Sequence, residues 1–180
     1  MHCKQVPPRA VIRIFMVILS LLLLGAGSAI TTAAETDAGC GYSITLKEAA
    51  GILTVPGDDL QKSSRKMMVS PDDLREKTYQ GIPCIYHFRS KTNFLKSINY
   101  TVYVYSDPGR ARREFEKMRG NFSTVSRVEE VPGLGDETFR VDDKRFQRMI
   151  AIKGGIMIDV LTPADPNLQK QLLRLVLDKI

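Results

Sequence analysis

Residues 1–34 carry three bases (Lys4, Arg9, Arg13), no acid, and then the apolar run Ile14 to Leu24. The run thins into Gly25, Ala26, Gly27, Ser28 and Ala29, and Thr32-Ala33-Ala34 offers small residues for a cleavage site. A charged start, a short apolar core and a small-residue exit are what a secretory signal peptide needs. A transmembrane helix wants ~20 mostly apolar residues. This segment supplies 11, or 17 when Gly25 to Ile30 are added. Cleavage near Ala34/Glu35 is therefore favoured over a retained anchor. Lipid attachment at Cys40 fits less well, because Asp37 stands where such sites usually carry Leu. The consequence for folding is that residues 1–34 serve transient membrane contact during export. Residues 35–180 are then expected to make one exported domain, periplasmic or in the cell envelope.

That remainder of 146 residues is long enough to bury ~68–70% of its unfolded surface. The whole chain holds 26 Lys and Arg against 20 Asp and Glu, so without the three leading bases the balance is 23 to 20, or +3. So small a charge does not mark a polyanion binder, and nucleic-acid binding would need a larger basic excess and cytoplasmic residence. Cys3 leaves with the signal, and Cys40 and Cys84 remain, an even number suited to an oxidising compartment. Their bond would close a 44-residue loop. In the chain-entropy model that is worth roughly 4 kcal/mol. No C-x-x-C spacing exists to depress a thiol pKa, so a structural disulfide is favoured over a redox pair.

Thr45 and Glu48 have capping-box spacing, and Leu46, Ala49, Ala50 and Leu53 share one face of a short helix ended by Pro56-Gly57. Residues 57–81 are polar and turn-rich, with Met67-Met68-Val69 as a brief strand. Cys84, Tyr86 and Phe88 alternate with Ile85, His87 and Arg89; Ile98, Tyr100, Val102 and Val104 alternate likewise. Asp107-Pro108 opens a helix whose apolar face is Ala111, Phe115, Met118 and Phe122, with Gly120 near its end. Strands are expected at Val125–Val131, Thr138–Val141, Phe146–Lys153 and Ile156–Leu161, the last two joined by the hairpin signal Gly154-Gly155. Asp165-Pro166 caps a final helix from Asn167 to Ile180. The order α-β-β-α-β-β-β-α predicts an α+β fold: a largely antiparallel sheet of about five to six strands packed with two to three helices.

Three stretches carry a resemblance. They are Cys40 before Ile44-Thr45-Leu46-Lys47-Glu48-Ala49-Ala50, Cys84-Ile85-Tyr86 opening a strand, and Val131-Pro132-Gly133-Leu134-Gly135-Asp136-Glu137-Thr138-Phe139. Together they resemble a recurrent type of small exported bacterial envelope domain, lipoprotein-like and mostly of unknown function. Such domains look like PsbP-type α/β/α sandwiches. The resemblance implies fold and compartment, and it brings no catalytic residues.

The chemistry-bearing residues point the same way. His87 lies three residues from Cys84 and has no second histidine to complete a zinc site. Asp58-Asp59, Asp72-Asp73 and Asp142-Asp143 sit in turns and do not fit a calcium loop. No G-x-S-x-G elbow is present. Gly133-Leu134-Gly135 lacks the third glycine and following helix of a phosphate cradle. Arg110, Arg112, Arg113, Lys117 and Arg119 interleave with Glu114 and Glu116, as on a solvated helix face. Tyr100, Tyr103, Tyr105 and Phe94 could form an aromatic patch, though strand aromatics more often pack in cores. The candidate loop is Gly133, Gly135, Asp136 and Glu137, read first as a glycine-enabled turn with acids facing water. These observations predict a non-catalytic domain without cofactor or metal, binding an envelope protein or small ligand. The alternative is a small envelope hydrolase using carboxylates near Asp136 and Glu137.

Overall fold

The computed structural model describes residues 40–142, 147–162 and 165–180. The signal segment, its cleavage position, Asp143 of the third acidic pair and Phe146 lie outside the described residues. The elements in chain order are α1 (Leu46–Leu53), a 3-10 turn (Gly57–Asp59), β1 (Leu60–Lys66), α2 (Pro71–Arg75), β2 (Cys84–Ser90) and β3 (Ser97–Val104). Then follow α3 (Pro108–Ser123), β4 (Arg127–Glu130), β5 (Glu137–Asp142), β6 (Gln147–Lys153), β7 (Ile156–Thr162) and α4 (Pro166–Leu177).

The seven strands form one sheet in the order β1-β2-β3-β7-β6-β5-β4, with every neighbouring pair antiparallel. Two meanders, β1-β2-β3 and β4-β5-β6-β7, meet where β3 pairs with β7. Helix α3 carries the chain from the sheet's centre to its far edge. The fold is the expected α+β class, with a slightly larger sheet and four helices among the described residues.

The extra strand is β1, which occupies part of the segment read as turns. Only Leu60 is buried in it, and the rest is Gln, Lys, Ser and Arg. It is an edge strand, where polar and cationic side chains are what keep a sheet from pairing with another chain. That composition erases the alternation by which strands are recognised. Met67-Met68-Val69, expected as a strand, follows β1 without joining the sheet. The extra helix, α2, has Ser70 as its N-cap, accepting from the Asp73 N–H, and Pro71 in its first turn. This is the cap-then-proline order that also marks α3. Five residues with none buried gave no apolar periodicity to find.

Alternation in the strands gives the sheet two apolar faces. On one, Tyr86, Phe88, Ile98, Tyr100, Met149, Ala151, Ile158 and Val160 pack against Ala49, Ala50 and Leu53 of α1 and Leu172, Leu173 and Val176 of α4. On the other, Phe139, Val141, Ile150, Ile152 and Met157 receive Ala111 and Phe115 of α3, with Met118 and Phe122 partly buried against them. Gly120 lies near the end of α3, as expected, and the helix runs three residues further to Ser123. The result is three layers, helix on sheet on helix.

The arm before α1 is fastened at three places. Cys40 and Cys84 are disulfide-bonded with Cα atoms 5.9 Å apart. Tyr86 donates its hydroxyl to the Gly41 carbonyl at 2.5 Å, and the Ile44 N–H donates to the Tyr100 hydroxyl at 3.0 Å. The capping box forms as the spacing predicts: the Thr45 N–H donates to Glu48 Oε2 and the Glu48 N–H to Thr45 Oγ1.

Candidate functional site

The candidate loop connects β4 to β5, and its glycines are dictated by the backbone. Gly135 has φ +59°, and a Cβ there would lie 2.5 Å from the Ile152 carbonyl oxygen. The same carbonyl accepts the Asp136 N–H at 2.8 Å, so the loop presses directly on β6. Gly133 also has positive φ but faces open space. Leu134 is buried, and its carbonyl accepts the buried Thr138 hydroxyl at 2.7 Å.

Above this loop lies a cleft of about 470 Å³ between residues 130–138 and α3. Phe115 and Leu134 form its buried floor, and Phe115 meets Phe139 edge-on with ring centroids 5.0 Å apart. Arg112, Arg119, Glu130, Asp136 and Glu137 contribute its polar lining. The two loop acids have separate structural partners. Asp136 accepts the Gly154 N–H at 2.6 Å, clasping the β6–β7 hairpin. Glu137 forms an ion pair with Arg112 of α3. The structure thus brings Gly133, Asp136 and Glu137 to one cleft, with each acid already engaged.

The bases of α3 are likewise engaged. Arg110 pairs with Glu76 at 2.8 Å, Arg113 with Asp107, Lys117 with Glu114, and Arg119 with both Glu116 and Glu130. Such exposed pairs add little stability individually, but they cancel the local positive field that a polyanion would need.

The other singled-out residues fall elsewhere. Asp59 accepts from Ser90 and Thr92 and closes a turn, and the Ser90 hydroxyl first among these holds its carboxyl below the usual range. Asp73 serves the α2 cap, and Asp72 pairs with Arg75. Among the described residues no three His, Cys, Asp or Glu side chains stand together as a metal set. His87 is half-buried on the sheet face opposite α1 and α4, beside Ser63, Arg65, Ile85 and Asn99. Burial first, and then the charge of Arg89, lowers its pKa.

The aromatic group does not assemble. Tyr100 stacks on Tyr86 at 4.8 Å in one core, Tyr103 and Tyr105 gather around Tyr79 on the opposite face, and Phe94 stands exposed on a turn.

One group escaped the sequence reading. Asp159 is buried in the middle of β7, with Arg148 Nε 2.9 Å from its Oδ1. The Arg148 guanidinium lies 5.1 Å from the centre of the Phe122 ring on α3. Burial pushes the Asp159 carboxyl up to about 6 against the opposing pull of Arg148. The signal was a lone acid within Ile156-Met157-Ile158-Asp159-Val160-Leu161.

No protein-family model matches the chain, and no curated protein matches it. Solved structures match the chain, these two among them. The extracellular domain of PknH from Mycobacterium tuberculosis aligns with a TM-score of 0.54 at 10% identity, over 77% of this chain and 92% of that one. A GTP binding regulator from Thermotoga maritima aligns with a TM-score of 0.43 at 14% identity, over 76% and 90% respectively. At such identities the PknH likeness shows a shared fold and nothing of function.

Proposed function

We propose that this chain is an exported, non-catalytic domain of the cell envelope, receiving a partner protein or small ligand in the cleft between α3 and the 131–138 loop. The observation that carries this reading is the state of the loop acids. Asp136 is spent on the Gly154 N–H and Glu137 on Arg112, so they brace the walls of a cavity of about 470 Å³. An apolar floor under a few polar groups is the usual make-up of a binding cleft. Export is supported by the N-terminal charge-and-apolar pattern and by a disulfide, which persists in oxidising compartments. The solved neighbour's description as an extracellular domain agrees with it.

Photo-cross-linking in intact cells, with the reactive group at Arg119 on the cleft rim, tests the reading. A discrete adduct is expected, retained in Asp136→Asn, which removes the carboxylate charge and keeps an acceptor for the Gly154 N–H. Failure to trap any partner, or turnover of glycan or peptide substrates lost in Asp136→Ala, would overturn it. The intact mass of the native protein, taken without reductant, separately tests export. It is expected to start at Glu35 and to be about 2 Da light, one disulfide's worth of hydrogen.

A further inference from the structure

The turn between β2 and β3 holds two adjacent large apolar side chains in water. Phe94 is 69% and Leu95 65% exposed. Single exposed hydrophobics are ordinary, but a neighbouring aromatic–aliphatic pair at the tip of a hairpin is an interaction feature.

The turn is braced from several sides. The Ser90 N–H donates to the Lys96 carbonyl and the Lys96 N–H to the Asn93 carbonyl. The Asn93 N–H donates to Ser90 Oγ, and the Leu95 N–H to Asn93 Oδ1. From the neighbouring 3-10 turn, Asp59 accepts the Lys91 and Thr92 N–H groups. The apolar pair is therefore held out on an ordered frame, and among the described residues no helix covers it.

Its surroundings select the occupant. Residues 89–97 contain Arg89, Lys91 and Lys96 and no acid; the acids packed against them are Asp58 and Asp59 of the 3-10 turn, and the Asp59 carboxylate is engaged by Ser90 and Thr92. Among the described residues none of these three forms an ion pair within 4 Å; the Lys91 ammonium donates to the Asp58 carbonyl. An apolar tip with a cationic collar matches the boundary of a lipid bilayer bearing anionic headgroups. There the apolar pair enters the acyl region while the lysines stay among the headgroups. We infer that Phe94 and Leu95 form a membrane-insertion tip, with Lys91 and Lys96 as its anionic-headgroup collar. This surface is separate from the proposed cleft and does not depend on it.

The chain contains no Trp, so Phe94→Trp in the full chain places a single reporter on the tip itself. On vesicles of phosphatidylglycerol and phosphatidylcholine, the Trp emission is expected to shift to the blue and to be quenched by brominated acyl chains. In the same background Lys91→Ala and Lys96→Ala should each weaken the vesicle response about fivefold, and Leu95→Ser should weaken it as well. An emission unchanged by vesicles would overturn the inference, as would an equal response on pure phosphatidylcholine. A blue shift that grows with protein concentration without lipid would overturn it too, by showing a second copy as the occupant.

Discussion

Gly135 shows why the candidate loop has its sequence. Its positive φ is one that side chains rarely adopt, and the Ile152 carbonyl occupies the place of a Cβ. Gly135→Ala should cost about 1–3 kcal/mol, and more than Gly133→Ala, whose Cβ would meet nothing. Urea midpoints of the two variants check the order. Asp159 sets a pH dependence. Its carboxyl is raised from 3.8 to about 6 in the folded protein, so the native state holds this proton more tightly than the unfolded chain does. The associated stability is complete below about pH 4 and is lost as pH rises through about 6. Asp159→Asn has no such proton to lose. Wild-type stability relative to this variant should therefore fall, by on the order of 2 kcal/mol, across that window. Thermal melts of both proteins from pH 4 to 7 measure the difference, in which the other titrating groups cancel. A pH-independent difference would refute the assignment.

Helix α3 joins packing to the cleft. Phe115, spaced four residues from Ala111, enters the core against Phe139 and also floors the cavity. Phe115→Ala should destabilise the fold by about 3–5 kcal/mol and abolish the cross-linking adduct. Chemical denaturation and the in-cell assay read the two effects. Helices such as α3 were legible in the sequence because one face is buried and the period survives. Strands β2 and β3 were legible because their burial alternates, whereas β6 and β7, buried on both faces, were legible as apolar runs joined by the Gly154-Gly155 hairpin signal. β1 and α2 were hidden because an edge strand and a one-turn helix bury almost nothing. For β4 the expected range was too long: Val125 and Ser126 only turn the chain after α3, and Val125 is 77% exposed. The loop Gly133–Glu137 could be named from its composition. Its partners Arg112, Gly154 and Ile152 come from three other elements, and no local pattern predicts such long-range contacts. The Asp159–Arg148 pair was missed because its meaning depends on β6 lying beside β7.

The two ends of the sheet differ in what they carry. Strand register places the cleft loop near the end where β5, β6, β7 and β3 align Glu137, Ile152, Met157 and Tyr103. The Phe94–Leu95 tip extends from the other end, beyond the Arg89–Ser97 pair. A molecule resting its tip on a bilayer would therefore turn the cleft away from the lipid. The disulfide lies at the cleft end, because Cys84 pairs with Val102 at the start of β2. It closes 44 residues spanning α1, β1 and α2, the stretch with the edge strand and the least buried helix. Constraining that stretch in the unfolded chain stabilises the fold, by roughly 4 kcal/mol in the chain-entropy model. The double variant Cys40→Ser/Cys84→Ser should lower the urea midpoint correspondingly, with the tip still responding to anionic vesicles. Tip and cleft are built on strands that meet through β3 and β7, whose pairing needs no bond to Cys40. Loss of the vesicle response along with the disulfide would mean instead that β1 and its Asp59 brace cannot hold the turn without the cross-link.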